Sequence, residues 1–298
     1  MFMGLVGSEM CIRDSIKRGF FIDGSSLIRN PLGMIGRSID AKSHVIHIKN
    51  FNLLQIDHCF RDDLSIHVNP IFDGLAAALG SLSKDDQDLG VMFIDVGADK
   101  TNMLLYKDNY LIHSKVIPIG SKSVTKDIAA YLQTSIKRAE SIKHEHVSAL
   151  SDFADPESNF ELPIENDDLT KSINQKEISE IAELRYEDII DQIKSEMKLL
   201  RMDMSDIRSG IKITGGGSNV RNLDLLFKKH FEDTKCEYLS ISNTVFKENL
   251  EDRRELSTLI GLLSWPIFNT EDSSPTVGVK NFKSITKNIS SIWKGFFE

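Results

Sequence analysis

Cysteine is scarce: there are three in 298 residues, Cys11, Cys59 and Cys236, with no paired spacing. That excludes a disulfide scaffold and a zinc ribbon, and it fits a reducing cytosol. Long apolar runs are also missing; none approaches the roughly 18 residues that a membrane-spanning helix needs. Positive charge is in deficit, with 36 Lys and Arg against 44 Asp and Glu, which argues against nucleic acid as the main partner. No internal repeat is visible. What is present is a globular balance, 41% hydrophobic and 27% charged. It excludes wholesale disorder and suits one large domain or two medium ones.

The first fifteen residues, MFMGLVGSEMCIRDS, show neither strand alternation nor a helical period, and they lack the apolar core of a signal peptide. Glu9 to Ser15 looks like a translated sequencing adapter. Residues 1–15 are therefore expected to be an artefact and are set aside, with a disordered native N-terminus as the alternative.

From residue 20 to 50 the pattern is strand, turn, strand: Phe20-Phe21-Ile22, then Asn30-Pro31-Leu32-Gly33, then His44 to Ile48. Residues 70–80 have helical or mixed spacing, and Ser81 to Asp88 reads as a polar break. Gly90 to Asp95 is a continuous apolar run ending in an acid, the pattern of a buried strand feeding a tight loop. Met103 to Tyr106 and Tyr110 to Ile117 read as a hairpin around Lys107-Asp108-Asn109. Helices are expected over Ser123 to Leu132, capped by Ser123 or Thr125, and over Ile136 to Lys143. Phe153 to Thr170 reads as a loop or edge hairpin. Ile178 to Met204 reads as a long amphipathic helix. Gly210 to Thr214 is a short strand, Gly215-Gly216-Gly217 a turn, and Val220 to Phe231 a helix. Leu256 to Trp265 is a last helix that Pro266 should end, followed by a polar linker over Asn269 to Val279.

Several of these segments together resemble one family. Asp95-Val96-Gly97 after a buried strand is similar to the second phosphate loop of actin-like ATPases. Ser114 to Gly120, Val124 to Ala129, Ala139-Glu140-Ser141-Ile142-Lys143, Arg185-Tyr186 and Gly210 to Gly217 resemble the FtsA family of bacterial cell-division proteins. Asn30 to Gly33 followed by His44 looks like the small subdomain peculiar to that family. The resemblance implies an α/β actin-like fold with an incomplete first lobe, since the first phosphate loop should precede residue 16. It implies these parts: 16–50, the small subdomain; 51–88, the remainder of the first-lobe core; 89–120 and 209–268, the second-lobe core; 121–208, the second-lobe small subdomain, which binds FtsZ; 269–280, a linker; and 281–298, a membrane-targeting helix.

A phosphate loop must let backbone N–H groups approach an anion, which glycine allows. Asp95, Gly97, Lys100 and Thr101 are the candidates at this loop, with Asp95 also placed to hold Mg²⁺ through water. The family pattern is Asp-x-Gly-Gly-Gly-Thr. Here Ala98, Asp99 and Lys100 follow Gly97, so Asp99 puts a negative charge near phosphate, and Lys100 is expected to offset it. The resemblance gives Glu140 and Lys143 to adenosine; by spacing alone they are an ordinary i, i+3 ion pair. Gly215, Gly216 and Gly217 complete the nucleotide-binding set, with a tight turn as the plain alternative. Together they imply ATP with Mg²⁺. His144 and His146, at i, i+2, do not share a helix face, so metal binding there is not expected.

On a helix at about 100° per residue, Phe282, Ile285, Ile289, Ile292, Trp293, Phe296 and Phe297 fall within about 140°. Lys283, Lys287 and Lys294 flank that arc. Such a face suits the headgroup boundary of an anionic bilayer; the alternative is a helix docked on the protein's own core.

The resemblance implies an adaptor rather than an enzyme. It implies binding to the C-terminal tail of FtsZ with Arg185 as a candidate contact, self-association into protofilaments, and recruitment of later division proteins. It also implies a place on the cytoplasmic side of the bacterial membrane. A pilus-assembly adaptor and an ATP-dependent kinase-like enzyme share the superfold and stay open at this point.

Overall fold

The structure, a computed structural model, describes residues 10–25, 28, 30–64, 70–163, 170–232, 234–239, 241 and 252–268. The chain through Leu262 forms one compact unit. A second begins at Leu263 and, among the described residues, holds only the end of the last helix.

The centre is a five-stranded sheet ordered β5-β4-β3-β8-β9. Strands β3 (Val91–Val96), β4 (Thr101–Lys107) and β5 (Tyr110–Ile117) form an antiparallel meander. Strands β8 (Ile211–Thr214) and β9 (Cys236–Tyr238) then add parallel to β3. Every residue of β3 is buried, as its unbroken apolar run predicts for a strand covered on both faces. Met92, Ile94 and Val96 face one helical layer: α4 (Ser121–Leu132), α5 (Ile136–His146), α6 (Gln175–Leu200) and α7 (Leu223–His230). Phe93 and Asp95 point the other way by strand alternation, toward α2 (Asp73–Ser81), whose Gly74 lies against Leu104. Asp95 thus sits at the end of a strand, on the face α2 covers.

Two antiparallel hairpins flank this core: β1 (Met10–Ile22) with β2 (Ile39–Lys49), and β6 (Asn159–Pro163) with β7 (Thr170–Asn174). The second begins in the stretch read as a loop or edge hairpin, but its second strand runs on from Thr170 to Asn174 and the pair forms a sheet of its own. The first extends into the stretch set aside as an artefact, since Met10 to Ser15 pair with β2. Such pairing uses backbone groups that every residue except proline carries.

Three local readings are corrected. Lys84–Leu89 is a helix, α3, rather than a polar break, because the Ser83 hydroxyl caps it by accepting from the Asp86 N–H at 3.0 Å. Helix α4 starts at Ser121, and neither Ser123 nor Thr125 caps it. Its first N–H groups, of Ser121 and Lys122, donate instead to the carbonyls of Gly97 and Ala98 at 2.9 and 2.8 Å. Helix α8 (Ser257–Phe268) runs past Pro266; a proline removes one N–H, and this helix ends two residues on. Helix α1 (Asn50–Leu64) was not anticipated, since Phe51, Leu54, Ile56 and Phe60 are exposed and trace no buried stripe. The linker and the amphipathic tail lie outside the described residues.

Candidate nucleotide site

The parallel pair β3 and β8 ends in two loops that meet. The first, residues 97–100, is a tight turn in which the Gly97 N–H donates to the Lys100 carbonyl at 2.9 Å. The second is Gly215-Gly216-Gly217, where Gly216–Asn219 forms a short 3-10 helix. Gly215 has φ +90°, and a β-carbon there would stand 2.5 Å from the Val96 carbonyl oxygen. A β-carbon on Gly217 would stand 2.9 Å from the Gly97 carbonyl oxygen. Two of the three glycines are therefore required for the loops to touch. Gly216 has only Glu255 nearby, at ordinary contact distance.

Asp95 is 7% exposed. Its Oδ2 accepts from Asn102 Nδ2 at 3.0 Å, and the same amide approaches Asp73 Oδ2 at 3.4 Å. Burial pushes the Asp95 carboxyl above its ordinary value, and the Asp73 charge adds to that; the Asn102 bond and Lys100 oppose it. Asn102 Oδ1 is buried with no hydrogen-bond partner among the described residues. With Asp73 engaged by Lys100 through both oxygens, the Asp95 carboxylate and the unsatisfied Asn102 amide oxygen are left to suit a hard divalent cation, whose charge would reverse the pressure on Asp95. Among the described residues no group of three or more His, Cys, Asp or Glu converges to hold a metal, so the fit is to a cation that keeps most of its waters.

The loop's own charged side chains are arranged differently. Lys100 Nζ bonds Asp73 at 2.9 and 2.8 Å to its two oxygens. It does not offset Asp99, as the sequence led us to expect; Asp99 has Lys122, at 3.4 Å. The Thr101 hydroxyl is buried and donates to the Ile119 carbonyl at 2.8 Å. Every charged side chain around this loop already has a partner from the chain itself.

Glu140 and Lys143 do come together. Lys143 is 4% exposed, and its Nζ lies 2.8 and 2.9 Å from the two Glu140 oxygens and 3.0 Å from Thr125 Oγ1. Thr125 also bonds Glu140. Burial pushes the Glu140 carboxyl up, but Lys143 and Thr125 outweigh it and hold it below its ordinary value. A lysine this buried is not the solvated ion pair that spacing alone suggests. His144 bonds Glu140 at 3.1 Å, and His146 stacks on Phe160. Asp73, Asn102 and Thr125 were missed from the sequence. Asp73 and Thr125 reach their partners across long stretches of chain, and Asn102 meets Asp95 only through strand register.

Arg185 lies on α6 and reaches α4. Its Nε bonds Asp127 Oδ2 at 2.6 Å, Nη2 bonds Asp127 Oδ1 at 3.2 Å, and Nη1 bonds Asp188 at 2.8 Å. It is a half-exposed brace between two helices. The next residue, Tyr186, is buried and donates its hydroxyl to the Gly217 carbonyl at 3.3 Å, tying α6 to the glycine loop.

Residues 92–261 match the family model of cell division protein FtsA, and residues 6–47 match that of the SHS2 domain inserted in FtsA. The second match overlaps the stretch set aside as an artefact. FtsA of Bacillus subtilis is 31% identical over 212 residues, which are 71% of this chain and 48% of that protein. FtsA of Escherichia coli K12 is 27% identical over 271 residues, 87% of this chain and 63% of that protein. The chain spans between about half and under two thirds of these curated relatives. Among solved structures, MreB5 of Spiroplasma citri bound to ADP aligns with TM-score 0.60 and 18% identity, covering 76% of this chain and 69% of that one. The PilM-PilN type IV pilus biogenesis complex aligns with TM-score 0.58 and 15% identity, covering 78% and 63%. These likenesses establish an actin-like fold, and the matched motifs establish more: the chain belongs to the FtsA family of cell division proteins.

Proposed function

We propose that this chain is a scaffold, not a turnover enzyme, that holds FtsZ filaments on the cytoplasmic face of the bacterial membrane at the division site. The observation that carries the reading is the family match across 92–261. That span includes the whole of 121–208, which we assign as the FtsZ-binding subdomain. Residues 16–50 are the small subdomain, 51–88 belong to the first-lobe core, and 89–120 with 209–268 form the second-lobe core. Residues 269–280 are the linker and 281–298 the amphipathic helix, with Phe282, Ile285, Ile289, Ile292, Trp293, Phe296 and Phe297 entering an anionic membrane surface. Among the described residues no helix is long and apolar enough to cross a membrane. Self-association into protofilaments and recruitment of later divisome proteins complete the role.

The nucleotide is ATP with Mg²⁺, held where the loops of Gly97 and of Gly215 to Gly217 meet; MreB5 structures bound to ADP and to AMPPNP share the fold and support this. Asp95 holds the cation through water, Glu140 and Lys143 line the adenosine side, and Lys100 and Thr101 belong to the phosphate loop.

A synthetic FtsZ C-terminal peptide, titrated by fluorescence anisotropy, tests the partner assignment. The chain binds it, and Arg185→Ala binds it at least tenfold more weakly. Equal binding by both removes Arg185 from the contact; no binding by either removes the peptide as partner.

A further inference from the structure

The loop over residues 97–100 is held by bonds from two other parts of the chain. Helix α4 directs its first two N–H groups at the loop, and the carbonyls of Gly97 and Ala98 accept them at 2.9 and 2.8 Å. The Lys100 ammonium is the loop's cation. Asp73, 27 positions earlier on α2, takes it through both carboxylate oxygens at 2.9 and 2.8 Å. Asn102 Nδ2 approaches the same carboxylate at 3.4 Å and also bonds Asp95. Asp99 is paired with Lys122. A carboxylate chelating an ammonium is chemically what a phosphate oxygen would be at that point.

We propose that Asp73 is an internal competitor for the nucleotide's phosphates: it occupies Lys100, holds the loop to α2 without a ligand, and sets a low affinity for phosphate anions that rises when the pair opens. The proposal rests on the nucleotide reading of this site. It follows that the loop stays ordered in the absence of nucleotide, and that whatever moves α2 relative to β3 controls phosphate binding. The Lys100 side chain is about half exposed, so solvent weakens the pair and the competition is graded rather than absolute.

The test is calorimetric titration of the full chain with MgADP and, separately, with adenosine, which has no phosphate. Asp73→Asn removes the competing charge and keeps the shape. It should tighten MgADP about two- to fivefold, the scale of one half-exposed ion pair released, and leave adenosine unchanged. Lys100→Gln removes the cation and should weaken MgADP, again without effect on adenosine. The double variant should bind MgADP no better than Lys100→Gln alone. Adenosine binding with MgADP affinity equal in chain and Asp73→Asn overturns the competition while the nucleotide site stands. Failure of adenosine and MgADP to bind any variant overturns the nucleotide reading and the competition with it.

Discussion

A β-carbon at Gly215 would collide with the carboxylate of Asp95. The two residues stand at the ends of neighbouring parallel strands, where Asp95 is in register with Thr214. Their closeness means that the glycine loop and the acidic strand end are one structural feature. Gly215→Ala meets both that collision and a φ of +90°, which an L side chain rarely adopts. It should destabilise the chain by about 1–3 kcal/mol in urea denaturation. Gly216→Ala, with only an ordinary contact to Glu255, should stay within about 0.5–1 kcal/mol of the parent, close to a plain glycine-to-alanine effect.

Helices α2 and α8 cross backbone to backbone at Gly80 and Gly261. A β-carbon on Gly80 would stand 2.7 Å from the Gly261 nitrogen, and one on Gly261 would overlap the Ala76 carbonyl. Nothing flexible lines this contact, so Gly261→Ala must push the helices apart. A loss of at least about 2 kcal/mol is expected from such overpacking, visible as a lower urea midpoint.

Asp95 should be a liability to stability near neutral pH. Burial raises its carboxyl in the folded chain, so the folded state holds the proton more tightly than the unfolded state does. Its effect is neutral below the unfolded value and turns destabilising as pH climbs through the folded one. Asp95→Asn should therefore raise the melting temperature at pH 7 and change it little at pH 3, where both states carry the proton. An unchanged melting temperature at pH 7 would mean that the carboxyl is not strained. Millimolar Mg²⁺ should narrow the difference between the two proteins at pH 7 if the cation is held there.

Arg185→Ala removes a partly exposed brace between α6 and α4. Pairs of this exposure are worth about 0.2–1 kcal/mol, so the melting temperature should fall by only a few degrees. Retention of the fold separates loss of peptide binding from unfolding. Arg185→Lys keeps the charge but not the two-pronged bond to Asp127, and it should fall between the two.

Four of the five strands of the central sheet were legible, β3 most clearly, because burial on both faces leaves a continuous apolar run from Gly90 to Asp95; β9 was not, since three half-buried residues leave no pattern. The capped helix α3 and the exposed helix α1 were not, since neither buries a periodic stripe. Helix α4 starts two residues earlier than read because loop carbonyls, not a side chain, satisfy its first N–H groups. At the site, Asp95, Lys100, Glu140 and the glycines were visible as residues. What the sequence hid was pairing. Lys100 has Asp73 rather than Asp99, a contact across 27 residues that no local pattern encodes. Thr125 joins the Glu140–Lys143 pair only because α4 packs on α5. The resemblance supplied roles for Gly215 and Gly217, while the structure shows the close packing that demands glycine there.

The central claim is that one end of this chain holds a membrane and its body holds FtsZ. Co-sedimentation of FtsZ with anionic vesicles tests it, using the intact chain beside a version ending at Val279, both first confirmed folded by circular dichroism. The account predicts that FtsZ pellets with the intact chain and stays in solution with the shortened one. If the intact chain pellets and FtsZ does not, or if neither pellets, the adaptor reading is contradicted.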